Sequence, residues 1–488
     1  MASCAPSDLL KAAKCLACLP VGMARAVKAY LACQWANQGS GPVAPPAPLS
    51  ITIDLASASD HIVVNWTQGA APTTNEIWRD VNGFGFVLFA TVAGGITTIT
   101  DPGVMANGDL YTYKVRACNG ATCSTFSSEI AVGYNLVASG TGLYPSLFLV
   151  IGSFFMYLPT PTVSAPNLVK VDAAIDASNN VTLTTLNLPA LVTVGGNFRV
   201  NQCTSLASLT STALQTVGGD FLFGQNPITA LDFPALLSTG GTFSPNGMAG
   251  LLTLNIPLLA STGQHFSFGY GNAITTLYAP SLVTVGHILD GSGAGVNLVT
   301  VLLPNLISTG NDFRMENNPT LTSLTITNLQ TVGTNTTSGN LTCYNCSLTA
   351  FSAPALTAVW GDAVLACTTM VSISLPNLVT LPGSLQCGGF TLGVAVPGLT
   401  TVSIPKLLIG DANQIDFDSC ALVAGSSALG TGIAGILHRC VVAVLTTEDI
   451  ELGNVTGGGA NAALATCGAQ AIADNNTLTV AGCTVVTN

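Results

Sequence analysis

A repeat constrains this chain more than any other feature. Between about Leu143 and Asp418 the phrase L-x-x-L-x-L-P-x-L-x-x-x-G-G-x-F returns about every 23 residues. Its anchor is Pro145, Pro166, Pro189, Pro234, Pro257, Pro280, Pro304, Pro354, Pro376 or Pro405, with Thr212 and Thr327 in two slots. A leucine stands two residues after each anchor, from Leu147 and Leu168 through to Leu378 and Leu407. A fixed period of this length with constant apolar columns marks a solenoid, in which each unit buries its apolar side only against its neighbours.

The columns have distinct physical roles. Apolar residues three and one before the anchor, such as Leu186 and Leu188 or Leu254 and Ile256, follow the period of a strand. Proline suits the strand end, where a missing N–H is tolerated. Glycine six residues after the anchor recurs at Gly195, Gly218, Gly240, Gly263, Gly286, Gly310 and Gly333. It fits either a corner with positive φ or a close approach between coils. Nine residues after the anchor, Phe154, Phe198, Phe221, Phe243, Phe266 and Phe313 form a column that Ile175 and Leu289 continue, which predicts an internal spine. Twelve coils stacked at the strand spacing make a rod about 60 Å long. The last spacings lengthen, so bulges are expected near Thr334 to Cys346 and Gly388 to Val396. Thr334, Asn340, Tyr344, Trp360 and Phe390 in these irregular coils are the candidate contact residues.

The repeat resembles the irregular leucine-rich repeats of bacterial and phage surface proteins. It lacks the long amphipathic helix of the ribonuclease-inhibitor type. Asn201, Asn246 and Asn318 resemble an asparagine ladder whose offset drifts.

The expected fold is mainly β, in five segments. Residues 1–38 form a short helical, cysteine-containing N-terminus, read as two helices over 7–37. Residues 39–49 are a Pro/Gly linker. Residues 50–134 alternate apolar and polar in short runs, which predicts a β-sandwich. His61 to Trp66 and Tyr111 to Ala117 give this segment a resemblance to a fibronectin type III domain, with Trp66 in its core and Tyr111 as the corner tyrosine. The resemblance implies a spacer or a weak carbohydrate- or protein-binding module. Residues 138–418 are the solenoid, and 419–488 a small α/β C-terminal cap. The cap is read as helices at 428–445 and 460–473 with strands at 451–455 and 477–486. Its ending resembles the cap of phage-associated and bacterial leucine-rich-repeat proteins at Asn461-Ala462 and Thr487-Asn488.

Fifteen cysteines leave at least one without an intramolecular disulfide partner. Cys118 and Cys123 flank a four-residue turn and are placed to bridge a hairpin. Cys420, Cys440, Cys467 and Cys483 have the number for two disulfides in the cap. Cys4, Cys15, Cys18 and Cys33 admit a zinc knot, a disulfide-stapled hairpin or packed thiols.

Catalytic chemistry finds little support. Only 7% of residues are charged, against about 25% in an ordinary soluble protein. Glycoside cleavage needs two carboxylates about 5–9 Å apart. Asp312 and Glu316 share a coil and come nearest to such a pair, while Asp220 shares the column of Asp312 four coils away. Asp411, Asp416 and Asp418 cluster at the end of the array, as calcium ligands or as a polar edge. His265 and His287 lie in adjacent coils but lack a third ligand. No enzyme activity and no cofactor are therefore expected.

Net charge is -11, with a basic excess confined to residues 1–40, so nucleic-acid binding is not expected. No long apolar run predicts membrane insertion. The first residues do not read as a secretory signal, yet the Thr/Ser/Asn/Gly exterior suits an extracellular assembly. A phage virion protein released by lysis reconciles the two. The expected function is non-enzymatic adhesion. The N-terminal segment would attach to other virion or surface-assembly proteins, and the solenoid would meet a glycan or protein of the host surface. The alternatives are a structural subunit that self-assembles, as a homo-oligomer, or decorates a capsid, tail or filament, and a bacterial cell-surface adhesin.

Overall fold

The computed structural model describes residues 44–55, 61–69, 72–103, 105–271, 273–293 and 297–387, with short stretches from 396 to 487. Every regular element among the described residues is a strand. The chain divides into two units, one of residues 1–104 with 113–130 and one of 105–112 with 131–488. The N-terminal helices expected over 7–37, and the helices expected over 428–445 and 460–473, lie outside the described residues. Of the cap, Ile450–Leu452 and Val485–Thr487 are described, and they pair in parallel.

In the first unit, strands β1 (Ser50–Leu55), β2 (Ile62–Thr67) and β5 (Thr98–Asp101) make one antiparallel sheet in the order β1-β2-β5. Strand β3 (Thr74–Val81) pairs on one side with β4 (Val87–Ala93) and on the other with β6 (Leu110–Asn119). Alternation explains the sheet. In β2, Ile62, Val64 and Trp66 are buried while the residues between them are not, and Tyr113, Val115 and Ala117 repeat the pattern in β6. β7 (Thr122–Cys123) closes a hairpin on β6, and the Cys118–Cys123 disulfide bridges it.

Tyr111, the expected corner tyrosine, and Tyr113 are both buried. Tyr113 is the fully buried tyrosine, and its hydroxyl donates to the Asp101 carboxylate at 2.7 Å. Tyr111 instead donates to Asp109 at 3.0 Å. Arg79 also reaches Asp101, at 2.7 Å, and the Gly103 N–H donates to it at 2.9 Å. Burial disfavours ionised Asp101, but the hydrogen bonds from Tyr113 and Arg79 outweigh it and hold its carboxyl below the ordinary value.

The second unit is a parallel β-solenoid. Three strands recur per coil, and each stacks on its counterpart in the next coil to form a ladder. The first ladder precedes the anchor, as in Thr185–Asn187, and runs in short groups along the array. The second follows it, as in Thr193–Val194, and begins at β8 (Ile130–Tyr134) and Leu147–Ile151. The third carries the phenylalanine column and is a continuous twelve-stranded sheet from Phe154–Phe155 to Ile415–Asp416. No coil contains a helix among the described residues, which accounts for its brevity.

The spine forms as expected. Phe154, Ile175, Phe198, Phe221, Phe243, Phe266, Leu289 and Phe313 pair in register and are all fully buried. Phe198 and Phe221 lie 5.0 Å apart between ring centroids, and Phe221 and Phe243 5.6 Å, within the favourable range for aromatic pairs.

The glycine column resolves to close approach, not to a positive-φ corner. A Cβ on Gly218 would sit 2.0 Å from the carbonyl oxygen of Gly195, and one on Gly240 2.0 Å from that of Gly218. The coil spacing leaves no room for a methyl group there. Gly333 alone of this column has positive φ, at 74°, where the following insertion begins. Positive φ falls instead seven residues later, on Asn179, Gln202, Gln225, Tyr270 and Asn317. These are largely Asn and Gln in a position that glycine takes at Gly247 and Gly293.

The drifting asparagine ladder separates into two columns. Asn201 accepts the Gly224 N–H at 2.7 Å through its side-chain oxygen. Two positions further along each coil lies a buried inward column of Asn180, Cys203, Asn226, Asn318 and Cys346. Asn226 donates to Phe223 O at 2.8 Å and to Val200 O, and accepts the Cys203 N–H at 2.9 Å. Asn318 donates to Gly291 O at 2.9 Å, and Cys203 and Cys346 donate through Sγ to Ala177 O and Met315 O, both at 2.9 Å. This column satisfies carbonyls that the turn would otherwise leave buried and unpaired.

Candidate functional site

The irregular coils place the candidate contact residues in different roles. Thr331–Val332 in the second ladder is followed by a turn in which Thr334 and Thr337 exchange backbone hydrogen bonds of 2.8 and 3.1 Å. Thr334 to Ser338 are exposed on it. Val332 pairs with Val359, so Trp360 follows in the register of the glycine column. The next residue, Gly361, keeps the close contact of the second glycine column, its Cβ position 2.3 Å from Asn340 Oδ1 as that of Gly219 is 2.2 Å from Asn197 Oδ1. Thr334 and the half-buried Trp360 thus mark the same corner in successive coils. Phe390 lies outside the described residues.

Asn340 is structural. Its N–H donates to Asp312 Oδ1 at 2.8 Å, and its own Oδ1 accepts the Asp362 N–H at 2.8 Å. Asp362 Oδ1 then accepts the Ser384 N–H at 2.7 Å. The same device runs earlier in the array, where Asn197 Oδ1 accepts Asp220 N–H at 2.7 Å and Asp220 Oδ1 accepts Thr242 N–H at 3.0 Å. Short side-chain oxygens, eight residues after the anchor in the regular coils, thus pass hydrogen bonds from coil to coil in two runs, Asn197 to Thr242 and Asp312 to Ser384, with His265 and Ile288 at that offset between them. Sequence reading missed it, although Asn197, Asp220, Thr242 and Asp312 recur at that offset.

This column changes the meaning of the acids. Asp312 binds Asn340 N–H through one oxygen and pairs with Arg314 through the other. Glu316 accepts from Thr342 at 2.9 Å and from the Tyr344 hydroxyl, one bond on each oxygen. That bond to Glu316, with burial, pushes the Tyr344 phenol up to about 12. The remaining acids are engaged too. Asp172 pairs with Lys170, Asp176 accepts Ser178 N–H, Asp220 pairs with Arg199, Asp232 accepts from Asn255 and Asp290 accepts Ser292 N–H. With Asp312, Glu316 and Asp362, these are all eight acids between residues 138 and 387. Asp411 and Asp418 lie outside the described residues, as do the N-terminal and cap cysteines Cys4, Cys15, Cys18, Cys33, Cys420, Cys440, Cys467 and Cys483. Of Asp416 only the strand is described.

His265 and His287 meet edge to face, with ring centroids 4.7 Å apart. Burial, then the neighbouring His287, lowers the pKa of His265. No third ligand joins them among the described residues.

A thiol cluster was not expected. Cys343, Cys346 and Cys367 are buried, and their Sγ atoms all lie within 4.8 Å of one another. The legible signal was the second C-x-x-C of the chain, Cys343-Tyr-Asn-Cys346, but its third member comes from the next coil. Hydrogen bonding from the Cys343 and Cys346 thiols draws the Cys367 pKa well down, while Cys343 is driven up.

The sandwich carries a different kind of surface. Trp78 and Phe126 pack edge to face at 5.8 Å. Arg116 lies over both rings and pairs with Glu76 at 2.7 Å, while Lys114 lies 3.5 Å from the Phe86 centroid.

These ladders define a parallel β-solenoid. No family model matches the chain, and no curated protein matches it. Among solved structures, it is similar to pectate lyase PelI from Erwinia chrysanthemi in complex with tetragalacturonic acid, at 11% identity over 78% of this chain and 87% of that one, with a TM-score of 0.15. Pectate lyase Pel3 from Pectobacterium carotovorum matches at 8% identity over 75% and 84% of the two chains, again with a TM-score of 0.15. Likeness this low carries no inference about chemistry. Among the described residues no helix is long and apolar enough to cross a membrane.

Proposed function

We propose that this chain is a non-enzymatic recognition protein of a phage virion whose solenoid binds a host-surface glycan or protein. One observation carries the non-catalytic part. All eight acids from Asp172 to Asp362 are engaged in hydrogen bonds or ion pairs, and those of Asp220, Asp312 and Asp362 tie one coil to the next, which supports a structural role for them. The outward positions of the ladders favour contact. Thr185 and Asn187, Ser208 and Thr210, and Thr253 and Asn255 alternate with buried or half-buried leucines on the first ladder, and Thr193, Thr216, Ser238 and Ser261 line the second. Such a surface offers many neutral donors and acceptors at the strand spacing, which suits sugar hydroxyls or peptide groups.

The finer family readings belong here too. The Asn/Cys column at Cys203 and Asn226 supports a leucine-rich-repeat relationship, since that signature places Asn or Cys behind two apolar strand positions. The sheet order β1-β2-β5 opposite β4-β3-β6, with a buried tryptophan, supports the fibronectin type III reading. Virion location rests on composition, through the Thr/Ser/Asn/Gly-rich and sparsely charged sequence.

Glycan-array and host-cell binding of the full chain tests the proposal. Saturable binding that weakens when Thr334 to Ser338 are replaced by Gly and Ser supports it. Absence of binding to host cells and surface glycans overturns it. A self-assembling structural subunit is the second reading. It is favoured by exposed apolar side chains three residues after the anchor at Leu237 and Ile307. Concentration-dependent filaments in negative stain would select it.

A further inference from the structure

The buried thiols of Cys343, Cys346 and Cys367 are arranged for more than packing. Cys343 is an inward residue of the third-ladder strand Leu341–Tyr344, and Cys346 fills the Asn/Cys column three residues on. Cys367 enters from the next coil, its Sγ 3.5 Å from Cys343 O. Three sulfurs bound to one ion at about 2.3 Å stand about 4 Å from one another. The observed limit of 4.8 Å asks for only a small contraction.

We propose that Cys343, Cys346 and Cys367 form a thiolate site for one soft d10 cation, copper(I) or zinc. Soft thiolate ligands select these ions. The site has three sulfurs and is closed to solvent, which suits trigonal copper(I); zinc requires a fourth donor to complete its tetrahedron. Binding replaces the S–H bonds of the protonated thiols by S–metal bonds and releases their protons to solvent, so affinity rises with pH. Cys203 supplies an internal control. It occupies the same column as Cys346 and makes the same Sγ bond to a carbonyl, but it belongs to no such cluster. Capping a carbonyl therefore needs one cysteine, not three.

The test uses full-length protein, reduced and kept anaerobic, titrated with copper(I) against a competing chelator and separately with zinc. Wild type and C203S are expected to bind one more equivalent than the triple variant C343S/C346S/C367S. X-ray absorption of that extra equivalent distinguishes the ions: three sulfur neighbours for copper(I), four ligands for zinc. Metal is also expected to raise the melting temperature of wild type and C203S but not of the triple variant. If circular dichroism shows the triple variant unfolded, C346S alone decides, because serine still donates to Met315 O; it is expected to lose the same equivalent. Equal stoichiometry in folded wild type and C346S, or a disulfide among the three cysteines after anaerobic isolation, overturns the proposal.

Discussion

The sandwich and the solenoid solve the burial of polar groups in opposite ways. In the sandwich, charge is concentrated. Asp101 is buried and bound by Arg79 and Tyr113, and Arg116 bridges Glu76 and two aromatic rings. In the solenoid, charge is sparse and short Asn and Asp side chains do the same work by repetition. Asn226 satisfies carbonyls of its own and the preceding coil, and Asn197, Asp220, Asn340 and Asp362 each hand an acceptor to the next. Repetition lets a neutral amide replace a carboxylate at no geometric cost. A unique network such as that at Asp101 has no equivalent exchange. The contrast teaches that acids in this solenoid are read correctly only by their place in the ladder.

The largest expected effect comes from the spine. Phe243→Ala removes a fully buried ring packed between Phe221 and Phe266 and should cost about 3–5 kcal/mol in chemical denaturation. An effect below about 1 kcal/mol would mean that the spine does not carry the solenoid. Gly240→Ala places a methyl group against Gly218 O and should cost about 1–3 kcal/mol. Gly250→Ala, where the nearest atom is 3.7 Å away, serves as the tolerant comparison. Asn226→Ala leaves buried backbone groups without partners and should cost about 1–3 kcal/mol.

Asp101 sharpens the comparison through pH. Its folded pKa lies below the ordinary carboxylate value, so its ionised form stabilises the native state above that value. The stability is lost as pH falls from there through the depressed folded pKa. Asp101→Asn should flatten the acid limb of a melting-temperature profile of the first unit. An unchanged limb would show that Asp101 is not its source. The smallest expected effect is Asp220→Asn or Asp362→Asn, within about 1 kcal/mol, since asparagine fills the same column at Asn197 and Asn340.

Much of this was legible in the sequence, for a physical reason. Spine and anchor columns are apolar, and burial tolerates few alternatives, so Phe198, Phe221 and Phe243 repeat visibly. The glycine column was visible too, but its cause depends on the distance from Gly218 to Gly195 O, which spacing alone does not give. The polar ladder was hidden because Asn, Asp, Thr and Ser all supply a short oxygen or fit its slot. Asp312 and Glu316 therefore looked like a pair, although their bonds run to Asn340, Thr342 and Tyr344 in the following coil. Cys367 escaped for a similar reason, since it joins Cys343 and Cys346 only across a coil. In the sandwich, alternation identified the buried face of β6, but the bond from Tyr113 to Asp101 joins β6 to another strand and was not legible.

The most direct test of structural acids in a contact surface compares wild type with the amide variant D220N/D312N/E316Q/D362N. Both are assayed for depolymerisation of neutral and acidic polysaccharides and for host-surface binding. The expected result is no product from either protein and comparable binding by both. Wild-type cleavage of a polysaccharide, lost in the variant while its fold is retained, would contradict it.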